Sequence, residues 1–377
     1  MSAWPGKYVI GLTGNIATGK SVVRKMLEHL GAYGIDADAL AHRAIAPGAP
    51  GYQAVVDTFG KWILGPERQI DRSKLGRVVF SDPEALTYLE KIVHPLVGQA
   101  VDILVRRARQ NVVVVEAIKL IESNLGDQCD SLWVTQARQE VQISRLVRKR
   151  NMSAAAAHQR IAMQPPQEEK VAAADIVIHN NGSFEDTWRQ VLSAWQQIFP
   201  ATKEEPEQEG EYVEGKIEVR RARPSQAADI AGLITRLSAG QRKMDRDDVM
   251  EAFGEKAFLI LTQDGKPAGI AGWKVENLVA RTDDIYLEAD LPRQDALAAL
   301  MAEVESASRD LQCEISLLFL PKTLARQNEI SRYIGYQKRT VQSLGIRAWQ
   351  EAAIESMPPG TIMLFKQLRE DRVLRPV

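Results

Sequence analysis

The sequence predicts an α/β chain of two domains: an open parallel sheet crossed by helices, then a smaller α+β domain. Three observations carry this. An apolar run, Tyr8–Leu12, leads into a Gly-rich turn and then into Val22–Leu30, whose apolar residues recur at helical intervals. Further short apolar runs, Tyr33–Ile35, Val112–Val115, Leu132–Thr135 and Ile176–Ile178, alternate with long helical patterns, which is how a five-stranded parallel sheet is written. Pro200–Lys216 is acidic, broken by proline and glycine, and has almost nothing to bury, the composition of a linker. The expected boundaries are 1–199 for the first domain, 200–215 for the linker and 216–377 for the second.

Composition narrows the function. The 377 residues are 45% hydrophobic and 26% charged, ordinary for a soluble chain of two domains. A net charge of -1 gives no electrostatic support to nucleic-acid binding. The two cysteines, Cys129 and Cys313, are far apart and match no metal spacing or disulfide framework, which suits a reducing compartment. No uninterrupted apolar stretch is long enough to span a bilayer, and the N-terminus runs straight into the first strand without a signal segment. The expectation is a cytoplasmic protein with neither a nucleic-acid nor a membrane partner.

The first turn carries the chemistry. Gly14-Asn15-Ile16-Ala17-Thr18-Gly19-Lys20-Ser21 has the spacing G-x-x-x-x-G-K-S between a strand and a helix, the context in which it reads as a P-loop. Glycines let backbone N–H groups turn inward around phosphate oxygens, and the helix N-terminus adds partial positive charge. Gly14 through Val22 are the expected ATP-binding residues; Lys20 reaches the β- and γ-phosphates, and Ser21 holds Mg²⁺. Asp36 and Asp38 follow at the C-terminal edge of the second strand, where open α/β sheets bind ligands. Two readings stand for them. Strand alternation puts both carboxylates on one side, to place a water-bound Mg²⁺ and accept a proton from an attacking hydroxyl. The other is an Asx-turn and a helix N-cap.

Residues 39–110 read as helices at Ala39–Ala46, Gln53–Phe59, Lys74–Phe80 and Pro83–Arg109, broken by Pro47-Gly48-Ala49-Pro50-Gly51. Such an insertion would form a lid or an acceptor-binding lobe. Within it His94 precedes Pro95, as a structural residue or a substrate contact. After the third strand, Glu116 to Glu122 lies at the same sheet edge. The basic run Arg138, Arg145, Arg148, Lys149, Arg150 is either a solvated helix face or a lid whose arginines close over phosphates. Helical spacing lets Arg145 share a face with Arg148 or with Lys149. After the fifth strand, His179-Asn180-Asn181-Gly182 is a turn near which an adenine could sit.

Taken in order, Gly14–Ser21, Ile35-Asp36-Ala37-Asp38, His94-Pro95, Arg145–Arg150, Gln164, Ala174-Asp175 and Val177–Gly182 resemble the dephospho-CoA kinase family over about residues 7 to 198. The resemblance implies transfer of the ATP γ-phosphate, with Mg²⁺, to the 3′-hydroxyl of dephospho-CoA, the last step of coenzyme A biosynthesis. Dephospho-CoA and ATP would be the partners. It implies Asp38 as the base or the residue orienting that hydroxyl, Arg150 or Arg148 as the lid arginine, and Asn180 near the adenine. Arg145 joins them as a catalytic candidate, and Asp36, His94 and Glu122 as acceptor-side candidates. Two departures stand out. The family usually carries Pro-Leu-Leu-hydrophobic-Glu after the third strand, where this chain has Ile118-Lys119-Leu120-Ile121-Glu122. Asn15 and Ala17 occupy P-loop positions that are commonly glycine. The scaffold and the arginines fit another small-metabolite or nucleoside kinase equally, and a nucleotide sensor with the tail as its output is the reading from a different class.

In the second half, Ile217–Ala222 alternates as a strand and Pro224–Leu237 reads as a helix. Ala257–Thr262 and Pro267–Val275 flank an Asp-Gly hairpin turn. Asp284–Ala289 and Cys313–Leu320 read as strands, and Arg293–Leu311 and Ala325–Ile334 as helices. This order, with Asn328 and Tyr333-Ile334-Gly335-Tyr336, resembles the GNAT acetyltransferase fold. The Gly-rich phosphate loop that the resemblance calls for is missing: Leu287–Arg293 has no glycine, two acids and a proline. A GNAT-like module without catalysis, for packing, oligomerisation or regulation, is expected, with Tyr333 and Tyr336 as packing residues.

Overall fold

A computed structural model describes residues 3–200, 216–276, 278–322 and 328–369; of these, the side chains of 149 and 328–330 are not described. Of the linker expected at 200–215, residues 201–215 lie outside the described residues, as does the start of the helix expected at Ala325–Ile334. By contacts the described chain divides into two compact units, residues 3–20 with 31–181 and residues 21–30 with 182–369.

In the first unit the strands are β1 Tyr8–Thr13, β2 Tyr33–Asp36, β3 Val112–Glu116, β4 Ser131–Gln136 and β5 Ile176–His179. They form one sheet in the order β2-β3-β1-β4-β5, every pair parallel. The β-branched run of β3 is buried at every position, as a strand covered on both faces must be. The connection after β1 runs to β2 on one side while those after β3 and β4 run to the other, so the C-terminal end of β1 lies at the switch point where such sheets bind ligands. Helices α2 Ala37–Ala44, α3 Tyr52–Phe59, α4 Arg72–Val79 and α5 Pro83–Arg107 fill the insertion. It has its own small core of Val55, Val56, Ile63, Ile70, Leu75, Val79 and Ala85. After β4 come α6 Gln139–Arg150, α7 Ala154–Ala162 and α8 Gln167–Ala172.

The second unit contains α1 Lys20–His29 from Ser21 onward and α9 Phe184–Ile198, together with a seven-stranded sheet. Its strands are β6 Ile217–Arg221, β7 Ala257–Gln263, β8 Lys266–Glu276, β9 Val279–Leu287, β10 Ile315–Pro321, β11 Gln337–Lys338 and β12 Thr361–Gln367, in the order β11-β12-β10-β9-β8-β7-β6. Only β9 and β10 pair in parallel, over Val279–Thr282 against Ile315–Leu318. Helices α10 Ala227–Leu237, α11 Arg246–Phe253 and α12 Arg293–Asp310 belong to it, with two further helices at Asn328–Tyr333, inside the expected Ala325–Ile334, and at Arg347–Ser356, which the sequence reading did not anticipate. The Asp264-Gly265 turn has φ of 52° and 75°, the left-handed pair a two-residue hairpin needs.

One strand differs from expectation. β9 begins at Val279 rather than Asp284 and ends at Leu287. Asp283 and Asp284 look like strand breakers, but Lys256 Nζ pairs with both, at 2.8 and 2.6 Å. Charge compensation lets two acids sit inside a strand, and a bulge near Gly272 absorbs the crowding. The helix expected at Pro224 opens with a 3₁₀ turn, Pro224–Gln226. The two cysteines are free thiols, Cys313 buried and Cys129 partly so, and burial raises both pKa values, that of Cys129 to about 12.

Candidate active site

The turn after β1 is shaped by its two glycines. Gly14 has φ 146° and Gly19 φ 98°, where a side chain is strained. A Cβ on Gly14 would also stand 2.5 Å from the Thr135 carbonyl oxygen, and one on Gly19 would run into the Asn180 amide. Ala17, at a position read as commonly glycine, takes φ 59° and carries backbone strain into the loop. Thr18 Oγ1 and Thr135 Oγ1 lie 2.7 Å apart and tie the loop to β4. Ile16 N–H donates to Gln164 Oε1 at 2.7 Å, and Asn15 Nδ2 donates to the Pro165 carbonyl at 2.8 Å. Asn15 Oδ1 is buried without a hydrogen bond.

Lys20 is 7% exposed and donates to the carbonyls of Gly14 and Asn15 at 3.0 and 3.3 Å. Burial disfavours its ammonium and lowers its pKa, against the pull of Glu116 and Asp38. Ser21 and Val22 follow in the first turn of α1, Ser21 exposed. The expected strand-face pair of aspartates is not what forms. β2 stops at Asp36, and Asp36 becomes the N-cap of α2, its Oδ1 accepting the Ala39 N–H at 2.8 Å. Asp38 therefore sits in the first turn of a helix, and alternation no longer applies. Its carboxylate accepts the Ile118 N–H, at 3.1 Å to Oδ2 and 3.4 Å to Oδ1. Burial raises the Asp38 pKa; Lys20 and that amide work against the rise.

The arginines separate. Arg145 is half-buried; Nη1 donates to the Ala17 carbonyl at 3.1 Å and Nη2 to both oxygens of Asn180 at 3.0 Å. Asn180, 5% exposed, donates from Nδ2 to the Thr18 carbonyl at 3.0 Å. Arg145 and Asn180 thus hold the P-loop backbone from outside. Arg148 and Arg150 are exposed at the end of α6, and Arg150 is near enough for its charge to act on Lys20. The side chain of Lys149 lies outside the described set. Below Arg145, Leu146, Ala157 and Ile16 form a small core that joins the loop to α6 and α7.

On the acceptor side, Glu122 is exposed and His94 half-buried on α5, the helix that packs along α2. Lys119, the unexpected charge, pairs with Glu90 of α5. No hydrogen bond or ion pair joins His94 to Asp38 or Glu122 among the described residues. Two residues escaped sequence reasoning as site members. Glu116 is 4% exposed at the C-terminal end of β3, and its charge acts on Lys20 and Asp38. Lys170, on α8, is 3% exposed, donates to the Ile118 carbonyl and stands 3.4 Å from Glu122 Oε1. An acid at the end of a central strand was a legible signal for Glu116. Nothing local singled out Lys170, which lies in the polar run Gln167–Lys170.

A family model described as dephospho-CoA kinase matches residues 8–186. A dephospho-CoA kinase of Geobacter metallireducens is 43% identical over 192 residues, 50% of this chain and 96% of that protein. One of Streptomyces avermitilis is 43% identical over 187 residues, 49% of this chain and 91% of that protein. Among solved structures, a dephospho-CoA kinase from Campylobacter jejuni is 28% identical and covers 51% of this chain and 97% of its own, with a TM-score of 0.38. For the C-terminal part, a GNAT-family acetyltransferase from Staphylococcus aureus is 11% identical and covers 41% of this chain and all of its own, with a TM-score of 0.33.

Proposed function

The chain belongs to the dephospho-CoA kinase family, and we propose that its first half transfers the γ-phosphate of ATP to the 3′-hydroxyl of dephospho-CoA, giving ADP and coenzyme A. The observation that carries this reading is the half-buried Asp38 carboxylate, within electrostatic reach of the P-loop lysine at the C-terminal edge of the sheet.

The step balances without further reactants. The acceptor oxygen forms a bond to the γ-phosphorus, the bond to the β–γ bridging oxygen breaks, and the hydroxyl proton passes to Asp38. A carboxylate whose pKa is raised by burial is a better base than one in water. Lys20 exchanges the carbonyls of Gly14 and Asn15 for the β- and γ-phosphates, keeping its buried charge paired throughout. The loop from Gly14 to Val22 receives the phosphates on backbone N–H groups. Arg148 and Arg150, free of the loop backbone, close over the phosphates, while Arg145 and Asn180 keep the loop in shape beside the adenine. Asp36 fixes the start of α2 and so aims Asp38. His94 and Glu122 border the acceptor. The hydroxyl of Ser21 is a hard oxygen donor at the head of α1 and fits Mg²⁺, which takes few protein ligands and several phosphate oxygens. When bound, Mg²⁺ would offset negative charge on the transferring phosphate.

The second half is read as a GNAT-like module without acetyl transfer. Between β9 and α12 the chain has no glycine, Pro292 offers no N–H, and Glu288 pairs with Arg236 instead of leaving room for an anion. No helix among the described residues is long and apolar enough to cross a membrane.

Asp38→Asn tests the assignment. It keeps the size and the acceptor for Ile118 N–H but removes the base. The expected result is a fall in kcat of roughly 10²–10⁴-fold with the ATP dissociation constant changed by less than about threefold. Equal loss of ATP affinity would make Asp38 a metal or folding residue instead.

A further inference from the structure

Lys170 is a buried cation that the transfer step above does not use. At 3% exposure its ammonium is stable only if hydrogen-bonded and paired. What it holds is specific. Nζ donates to the carbonyl oxygen of Ile118, and Glu122 Oε1 lies 3.4 Å away. The same carbonyl accepts Thr13 Oγ1, at the end of β1, at 3.1 Å. The N–H of Ile118 in turn donates to Asp38. Ile118 is therefore pinned by its carbonyl from β1 and α8, and presents its amide to the carboxylate that meets the acceptor.

We propose that Lys170 is a positioning residue for phosphoryl transfer, fixing Ile118 so that the Ile118 amide holds Asp38 where the acceptor hydroxyl arrives. This rests on the phosphotransfer reading. Lys170 touches Ile118 and Glu122 and holds Asp38 through the Ile118 amide, while its charge also reaches Asp38 and Lys20 directly. The pairing with Glu122 also anchors the far end of the loop after β3, so one ammonium ties both ends of the segment 118–122. The position of this segment matters because only an aligned base is a useful one; a misplacement of about 1 Å at a reacting group can cost on the order of 10²-fold in rate. Thr13 keeps one bond to the carbonyl when Lys170 is lost, so the expected defect is a loosened base rather than a collapsed site. Glu116 and Lys20, which also face Asp38 electrostatically, stay in place in such a variant.

The test uses the full chain, with kcat, the KM for dephospho-CoA, the ATP dissociation constant from direct binding, and the thermal midpoint measured on each variant. Lys170→Met is expected to lower kcat at least tenfold with ATP affinity within about twofold, and Lys170→Arg to restore kcat to within about fivefold of the unsubstituted protein. In an Asp38→Asn background, Lys170→Met is expected to cost no more than a further twofold, because the group it positions is gone. Losses that multiply in the double variant, or a kcat unchanged in Lys170→Met, overturn the proposal. Should Lys170→Met melt below the assay temperature, Lys170→Gln replaces it: a three- to tenfold loss supports the proposal, and a kcat equal to the unsubstituted protein's overturns it. If the unsubstituted chain shows no transfer to dephospho-CoA, the phosphotransfer reading falls and takes this one with it, an outcome distinct from any seen only in the variants.

Discussion

Asp36 and Asp38 stand two residues apart, and the backbone between them changes from strand to helix. That change decides their chemistry: Asp36 spends an oxygen on the Ala39 amide, and Asp38 faces Lys20 and Ile118. The sequence left a strand-face pair and a helix N-cap both open, and the structure takes the N-cap for Asp36, because only the helix start tells the two apart. The glycines and Lys20 stand in a motif the sequence marks; Asn180 and Arg145 drew notice for contacts with nucleotide, and the bracing of the loop backbone that they provide was not foreseen. Glu116 was legible as an acid at a strand end but was not singled out, and Lys170 carried no local signal, because tertiary packing alone brings it near Asp38. Another residue-scale effect lies in the second unit. His29 Nε2 donates to the Phe253 carbonyl at 2.8 Å, and Arg221 approaches Nδ1 at 3.5 Å. Burial and then Arg221 disfavour the imidazolium and lower its pKa to about 3. The ring is neutral when folded, while the unfolded chain takes up a proton below the ordinary pKa of about 6.5, so acid favours unfolding. The contribution is present above that pKa and is lost as pH falls toward 3. Between pH 7 and 5 it amounts to about 2 kcal/mol. Denaturant unfolding at the two pH values should lose about that much more in the unsubstituted protein than in His29→Gln; equal losses would mean that the folded ring is already protonated.

At the scale of elements, α6 is the helix that braces the Gly-rich loop. Its sequence offered a basic face, and the structure divides that face: Arg145 turns inward to the loop, while Arg148 and Arg150 stay outside. The inward turn follows from Leu146, fully buried against Ile16 and Ala157. Leu146→Ala removes the centre of that core and is expected to destabilise by about 2–5 kcal/mol, toward the lower end because the cluster is small. The effect should fall on the loop as well. The rise in thermal midpoint given by saturating ATP should shrink in the variant; an undiminished rise would separate the lid core from phosphate binding. Most elements were legible from period and turn chemistry alone, the β1–α1 unit and the Asp-Gly hairpin best. β9 was misread because its two acids are neutralised by Lys256 from a distant part of the chain, a compensation that local pattern cannot carry.

For the whole molecule, the relatives account for half of the chain, and the second half extends beyond them. Residues 21–30 belong by contacts to the second unit although they continue the P-loop motif, so the division by contacts crosses the division by motif. Ordered short motifs made the first half readable from sequence, whereas the second half offered only an element order. The central claim concerns the acceptor. ADP release by the full-length chain should be measured with ATP and Mg²⁺ in the presence of dephospho-CoA, adenosine, pantetheine or no acceptor. The account predicts turnover with dephospho-CoA and background rates with the other three. Turnover that is equal without an acceptor, or that follows adenosine instead, would contradict it.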